Sequence, residues 1–141
     1  MSIDPSLLEI CTYTEPGYQP LVDFDTWRVA VLNPTDDLLP QNLINMQRHD
    51  ETDEVFVLLK GRCILFIGDG QDDVGKIQAM DMAPLTLYNV KRGTWHNHTL
   101  SKDASVLVVE NRNTTVANSP FCPLTPELKV GLMADVGRLW G

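Results

Sequence analysis

Between Trp27 and Glu110 the chain is one short extended run after another, each closed by a turn signal, with no helical period between them. Trp27 to Leu32 ends at Asn33-Pro34, because proline cannot donate to a ladder. Leu43 to His49 follows, then Glu54 to Leu59, which turns at Lys60-Gly61 and runs back through Arg62 to Ile67 as a hairpin. Lys76 to Ala79, Leu85 to Val90, Thr94 to Leu100 and Ser105 to Glu110 complete the series. About eight short strands at this spacing predict an all-β antiparallel sandwich or barrel and exclude a parallel α/β sheet, which needs helical crossovers.

The ends of the chain add little to that core, which spans about residues 27–112. Asp4-Pro5 predicts a short helical turn that Glu15-Pro16-Gly17 breaks. Thr35 to Gln41 and Asn111 to Pro123 read as loops. A helix is expected over about 125–140, with Thr125 as N-cap and Pro126 at the first position. Leu128, Leu132, Val136 and Leu139 form its apolar stripe, which should dock on the outside of the sheets; Gly131 and Gly137 weaken it. With 141 residues and neither linker nor repeat, a single domain over 1–141 is expected.

Nineteen acids against eleven Lys and Arg give a formal net charge of -8, which repels nucleic acid and anionic membranes. No apolar run reaches the length of a membrane span and the first residues lack the pattern of a signal peptide, so a cytoplasmic protein is expected. Cys11, Cys63 and Cys122 are odd in number and lie outside any CxxC spacing, which argues against disulfides and thiolate metal sites. Cys63, inside an apolar run, reads as a small buried hydrophobe.

Parity along Leu43 to His49 puts Leu43, Asn45, Gln47 and His49 on one face. A face that passes from apolar to amide to imidazole suits the wall of a pocket. Glu54 starts the next strand, and His96 and His98 share a face of the Thr94 to Leu100 run. Imidazoles and a carboxylate brought together from separate strands suit a divalent metal. Asn45 and Tyr88 are candidate substrate-binding residues, with His98 beside them, and His98 and Tyr88 are the candidates for proton transfer. The acids Asp50, Glu51 and Asp53 read as a solvated loop. Arg48, Arg62, Lys91 and Arg92 read as surface cations, and Trp27 and Trp95 as packing residues.

The two clusters together resemble the cupin family. Its first motif has a glycine, a His-x-His pair, a glutamate four or five residues on, and a glycine seven residues after that. Here Gln47-x-His49, Glu54 and Gly61 stand at those places, with Gln41 in place of the leading glycine. Lys91-x-Gly93 followed by His96 matches the second motif, with Lys91 for its proline, Leu85 for an outlying glycine and Leu100 for its asparagine. The resemblance implies a jelly-roll barrel, a cupin-type antiparallel double-stranded β-helix. It also implies four metal ligands at Gln47, His49, Glu54 and His96, of which Gln47 is a neutral amide in place of a histidine. A set of two histidines and one carboxylate suits Fe, and is used also by Mn, Ni or Zn.

The expected function is a small metal-dependent cupin acting on a polar small molecule, as an isomerase, lyase or dioxygenase. The alternative is a metabolite-binding cupin without catalytic metal. A homodimer is expected, from the family and from Glu54 to Leu59, whose apolar residues face both ways. No phosphate loop, dinucleotide motif or GxSxG elbow is present in the sequence.

Overall fold

The structure, a computed structural model, describes residues 2–141. Ten strands form two antiparallel sheets of five. The first is built from β1 (Gly17–Phe24), β2 (Trp27–Asn33), β4 (Glu54–Lys60), β7 (Leu87–Val90) and β9 (Ser105–Asn111), in the order β1-β2-β9-β4-β7. The second takes β3 (Asn45–Gln47), β5 (Cys63–Gly68), β6 (Ile77–Asp81), β8 (Trp95–Leu100) and β10 (Phe121–Pro123), in the order β10-β3-β8-β5-β6. Chain neighbours such as β4 and β5 lie in different sheets, which is the jelly-roll interleaving. The expected barrel is open: among the described residues, no hydrogen-bonded ladder joins the two sheets.

Two cores follow from strand parity. Ala30, Leu32, Phe56, Leu58, Val106 and Val108 of the first sheet meet Cys63, Leu65 and Leu100 of the second. The opposite face of the second sheet, with Met46, Ile64, Phe66 and Trp95, is covered by α1 (Pro126–Trp140) through Leu132, Val136, Leu139 and Trp140. The helix keeps its Thr125 cap, whose hydroxyl accepts from Leu128 N–H at 3.2 Å. Cys63 is fully buried, and burial pushes its thiol up to about 12.

Two local expectations change, and one further strand is added. Gly17–Phe24 is a strand, although Pro20 lies in it: β1 is an edge strand with a register shift between Pro20 and Val22, where a missing N–H costs nothing. The segment expected as loop after Asn111 contains β10, which pairs with β3. The strand expected over Leu43 to His49 is regular only at Asn45–Gln47, because Arg48 N–H turns to Pro120 O (3.2 Å) and Asp50 N–H to Asn118 O (3.0 Å).

The turns carry the backbone strain. Gly61 has φ 72°, and a Cβ there would lie 2.5 Å from Ala104 Cα, so only glycine fits. Leu85, which stands where the resemblance expects a glycine, nevertheless adopts φ 57°, with its side chain 76% exposed.

Candidate metal centre

The inner face of the first sheet turns polar at one end. Arg28 pairs with Glu110 across β2 and β9, and the β4–β9 register (Val55 with Val109, Phe56 with Val108) continues to set Glu54 opposite Glu110. From the facing sheet, Gln47 of β3 pairs with His96 of β8. His49, just beyond β3, is fixed by the backbone bonds of its two neighbours and by its own carbonyl, which accepts from Gly93 N–H at 2.8 Å.

These placements converge on one carboxylate oxygen. Glu54 Oε1 lies 3.2 Å from His49 Nε2 and 2.9 Å from His96 Nε2, and all three side chains are buried. Metal bonds of 2.0–2.2 Å in a tetrahedral set put neighbouring donors about 3.3–3.6 Å apart, so a shared ion needs these groups to part by only a few tenths of an ångström. The donor atoms of His49, Glu54 and His96 all lie within 4.8 Å of one another.

The outer hydrogen bonds assign the tautomers. His96 Nδ1 faces Thr94 O at 3.0 Å, an atom that can only accept, so Nδ1 carries the proton. His49 Nδ1 is 2.7 Å from Ser119 Oγ, whose own proton goes to Asn118 Oδ1 at 3.1 Å. Both Nε2 lone pairs therefore point at an ionised carboxylate, acceptor against acceptor, unless a cation stands between them. That cation is either a proton on each ring or a metal ion, and histidines bound through Nε2 with Nδ1–H on an oxygen are the usual metal arrangement.

The charges respond accordingly. Burial opposes charge on His49, but the hydrogen bond and charge of Glu54 and the charge of Glu110 outweigh it, so its pKa lies above the ordinary value. Burial likewise acts to raise the pKa of Glu54, yet the bonds from His49 and His96 hold it well below the carboxylate range. Glu110 goes the other way: burial, then Glu54 beside it, pushes it up to about 7. Burial and the neighbouring His96 push His98 down to about 4.

The cluster opens into a cavity of about 340 Å³ bounded also by Arg28, Phe56, Val108 and Thr115. It adjoins a second of about 600 Å³ that contains Asn45, Asp37 and Phe121, and Tyr18, Leu32, Gln47, His96 and His98 line both. Asn45 and His98 thus stand at the cavity, and Gln47 does too, with its amide nitrogen donating to Ser119 O at 3.1 Å. Tyr88 does not. Its register with Phe56 places it at the β7 edge, where its hydroxyl accepts from Ala83 N–H at 2.9 Å and its ring lines a separate pocket with Leu65 and Met80.

Sequence reasoning missed Glu110, Arg28, Tyr18 and Ser119. Glu110 had a signal, since it shares parity with Val106 and Val108 and so had to face inward. Arg28 shares the parity of Ala30 and Leu32 in the same way.

No model of a known protein family matches the sequence, and no curated protein matches it. Solved structures do. Pac13 from Streptomyces, a nucleoside dehydratase, superposes with a TM-score of 0.55 at 9% identity, over 82% of this chain and 86% of that one. The chain has the cupin fold. A variant of Pac13 with uridine gives the same TM-score at 10% identity, over 82% of this chain and 85% of that one. The capsular polysaccharide assembling protein CapF from Staphylococcus aureus matches this cupin fold over 80% of the present chain but only 31% of its own length, at 14% identity and a TM-score of 0.55. At these identities the likeness is one of fold alone. Among the described residues, no helix is long and apolar enough to cross a membrane.

Proposed function

We propose that the chain is a single-domain cupin that binds one divalent metal ion through His49, Glu54 and His96 and acts on a neutral, polar small molecule in the adjoining cavity. The observation that carries this reading is the pair of Nε2 lone pairs aimed at one buried carboxylate. When bound, the metal would supply Lewis acidity toward a substrate oxygen. Thr94 O and Ser119 Oγ hold the two rings in the ligating tautomer, and Gln47 and His98 form the wall against which substrate would sit.

Charge sets the substrate class. The acids Asp37, Glu54 and Glu110 line the two cavities, and the cation Arg28 has already committed its donors to Glu110, Tyr18 and backbone carbonyls. With the ion and Arg28 offsetting these acids, no cationic side chain among the described residues lining the cavities is left free to pair a phosphate, whereas a neutral polyol or nucleoside would find Asn45 and the Tyr18 and Phe121 rings. That Pac13 has been seen with uridine, a neutral nucleoside, supports the same class here.

Elemental mass spectrometry on protein purified without an affinity metal tests the reading. One ion of iron, manganese, nickel or zinc per chain is expected, lost in the His49→Ala/His96→Ala double variant. A second reading is a metal-free binding pocket, in which a proton on each Nε2 rather than an ion joins the rings to Glu54 Oε1. Protein that stays metal-free after reconstitution would select it.

The outer face of the first sheet supports the proposal of a homodimer. Val29, Val31, Val55, Val57, Leu107 and Val109 form an apolar field there, edged by Phe24 and Leu87, which are 69% and 72% exposed. Sedimentation equilibrium should give twice the chain mass; a monomer at micromolar concentration would exclude it.

A further inference from the structure

Three donors leave a zinc-like ion short of its usual four. The place that the cupin resemblance assigns to a fourth ligand holds Gln47, whose amide nitrogen is tied to Ser119 O. Glu110, which no motif marks, ends the inward-facing series Val106 and Val108 on β9. Its Oε1 accepts from the Tyr18 hydroxyl and from Arg28 Nη2 at 2.8 Å. Its Oε2 is buried, has no hydrogen-bond partner, and lies 4.0 Å from His49 Nε2.

An unpartnered buried carboxylate oxygen is costly, and here it stands beside the His49–Glu54–His96 cluster, just outside its donor set, so that a small turn of the side chain would bring it onto a shared ion. Glu54 and Glu110 also stand opposite one another on neighbouring strands, where two like charges repel. A dication between them removes both costs at once, and two carboxylates balance its charge.

We propose that Glu110 is a ligand of the metal ion, binding through Oε2, so that the centre is a set of two histidines and two carboxylates whose fourth member is held in place by Arg28 and Tyr18. The proposal rests on the metal reading above and deepens it. It shifts the donor set toward oxygen, which favours manganese or iron, whose octahedral shells keep positions open for a substrate oxygen beside these four ligands. It also gives the half-buried Arg28 a role: its guanidinium holds Glu110 Oε1, so that the free oxygen stays turned to the cluster.

Calorimetric titration of chelator-treated protein with Zn²⁺, together with the crystal structure of the zinc-loaded wild type, tests it. Glu110→Gln keeps the size of the side chain, so the fold should survive, and Zn²⁺ affinity is expected to fall at least tenfold; Gln47→Ala should weaken it less than threefold. In the zinc-loaded structure a Glu110 oxygen is expected about 2.0–2.2 Å from the ion. Unchanged affinity in Glu110→Gln, or zinc bound with both Glu110 oxygens beyond 3 Å by the usual coordination limits, would overturn the proposal while leaving the metal reading intact. Should Glu110→Gln fail to fold, the wild-type distance alone decides. Failure of the wild type to take up zinc or manganese would overturn the metal reading, and this proposal with it.

Discussion

Replacing Arg28 with methionine keeps most of the side chain's bulk and deletes its charge. The deletion removes hydrogen bonds to Glu110 Oε1 (2.8 Å), Thr114 O (3.1 Å) and the Tyr18 oxygen (3.1 Å). It also leaves Glu110 without its counter-charge; the Glu110 side chain is 2% exposed and that of Arg28 17%. Breaking a buried pair from one side costs about 3–5 kcal/mol. Glu110 has an escape, because burial and Glu54 push its carboxyl up to about 7 and a proton can replace the lost cation near neutral pH. The loss should therefore sit at the lower end, about 3 kcal/mol, or about 6–12 °C in Tm for a chain of this size. Urea denaturation of chelator-treated wild type, Arg28→Met, Glu110→Gln and the double variant measures it. In the Glu110→Gln background no buried anion is stranded, so Arg28→Met should cost at least about 1 kcal/mol less there. Equal costs in both backgrounds, or a loss under about 1 kcal/mol in the wild type, would refute the view that Arg28 compensates Glu110.

Three further outcomes are expected. Leu85→Gly should stabilise the fold by about 1 kcal/mol in urea titrations, since it relieves a left-handed residue with an exposed side chain; a destabilised variant would contradict this. Gly61→Ala should cost at least about 2 kcal/mol in the same assay, because it combines φ 72° with a 2.5 Å approach to Ala104 Cα; a neutral effect would contradict it. His98, pushed from 6.5 down to about 4 by burial and by His96, stays neutral where the unfolded chain takes up a proton. Its contribution is intact above pH 6.5 and is lost as the pH falls toward 4, to at most about 3 kcal/mol. His98→Phe should therefore lose less stability than wild type between pH 7 and 4.5, and parallel losses would contradict the shift.

How much of this the sequence revealed depended on the range of the interactions. Strand period and turn residues are local, so β2, β4, β5, β8 and β9 and the Thr125-capped helix were legible within a residue or two. β1 and β10 were not, because each is an edge strand containing a proline and owes its pairing to a distant neighbour, β2 or β3. His49, Glu54 and His96 were legible because motif spacing ties them to strand ends. Ser119 orients His49 across 70 residues and Tyr18 reaches Glu110 across 92, contacts that exist only once the order β1-β2-β9-β4 is known. Tyr88 shows the converse: it was expected at the pocket, but its place on the edge strand β7 turned its hydroxyl to Ala83 rather than to the cavity.

The central claim, a metal ion held between the sheets by His49, Glu54 and His96, is tested most directly by titrating isotope-labelled protein with Mn²⁺ and following paramagnetic broadening by NMR. The account predicts loss of the His49 and His96 ring signals first, with the α1 signals of Leu128 and Lys129 little changed. Broadening confined to the exposed acids Asp69, Asp72 and Asp73, with both rings untouched at stoichiometric Mn²⁺, would contradict it.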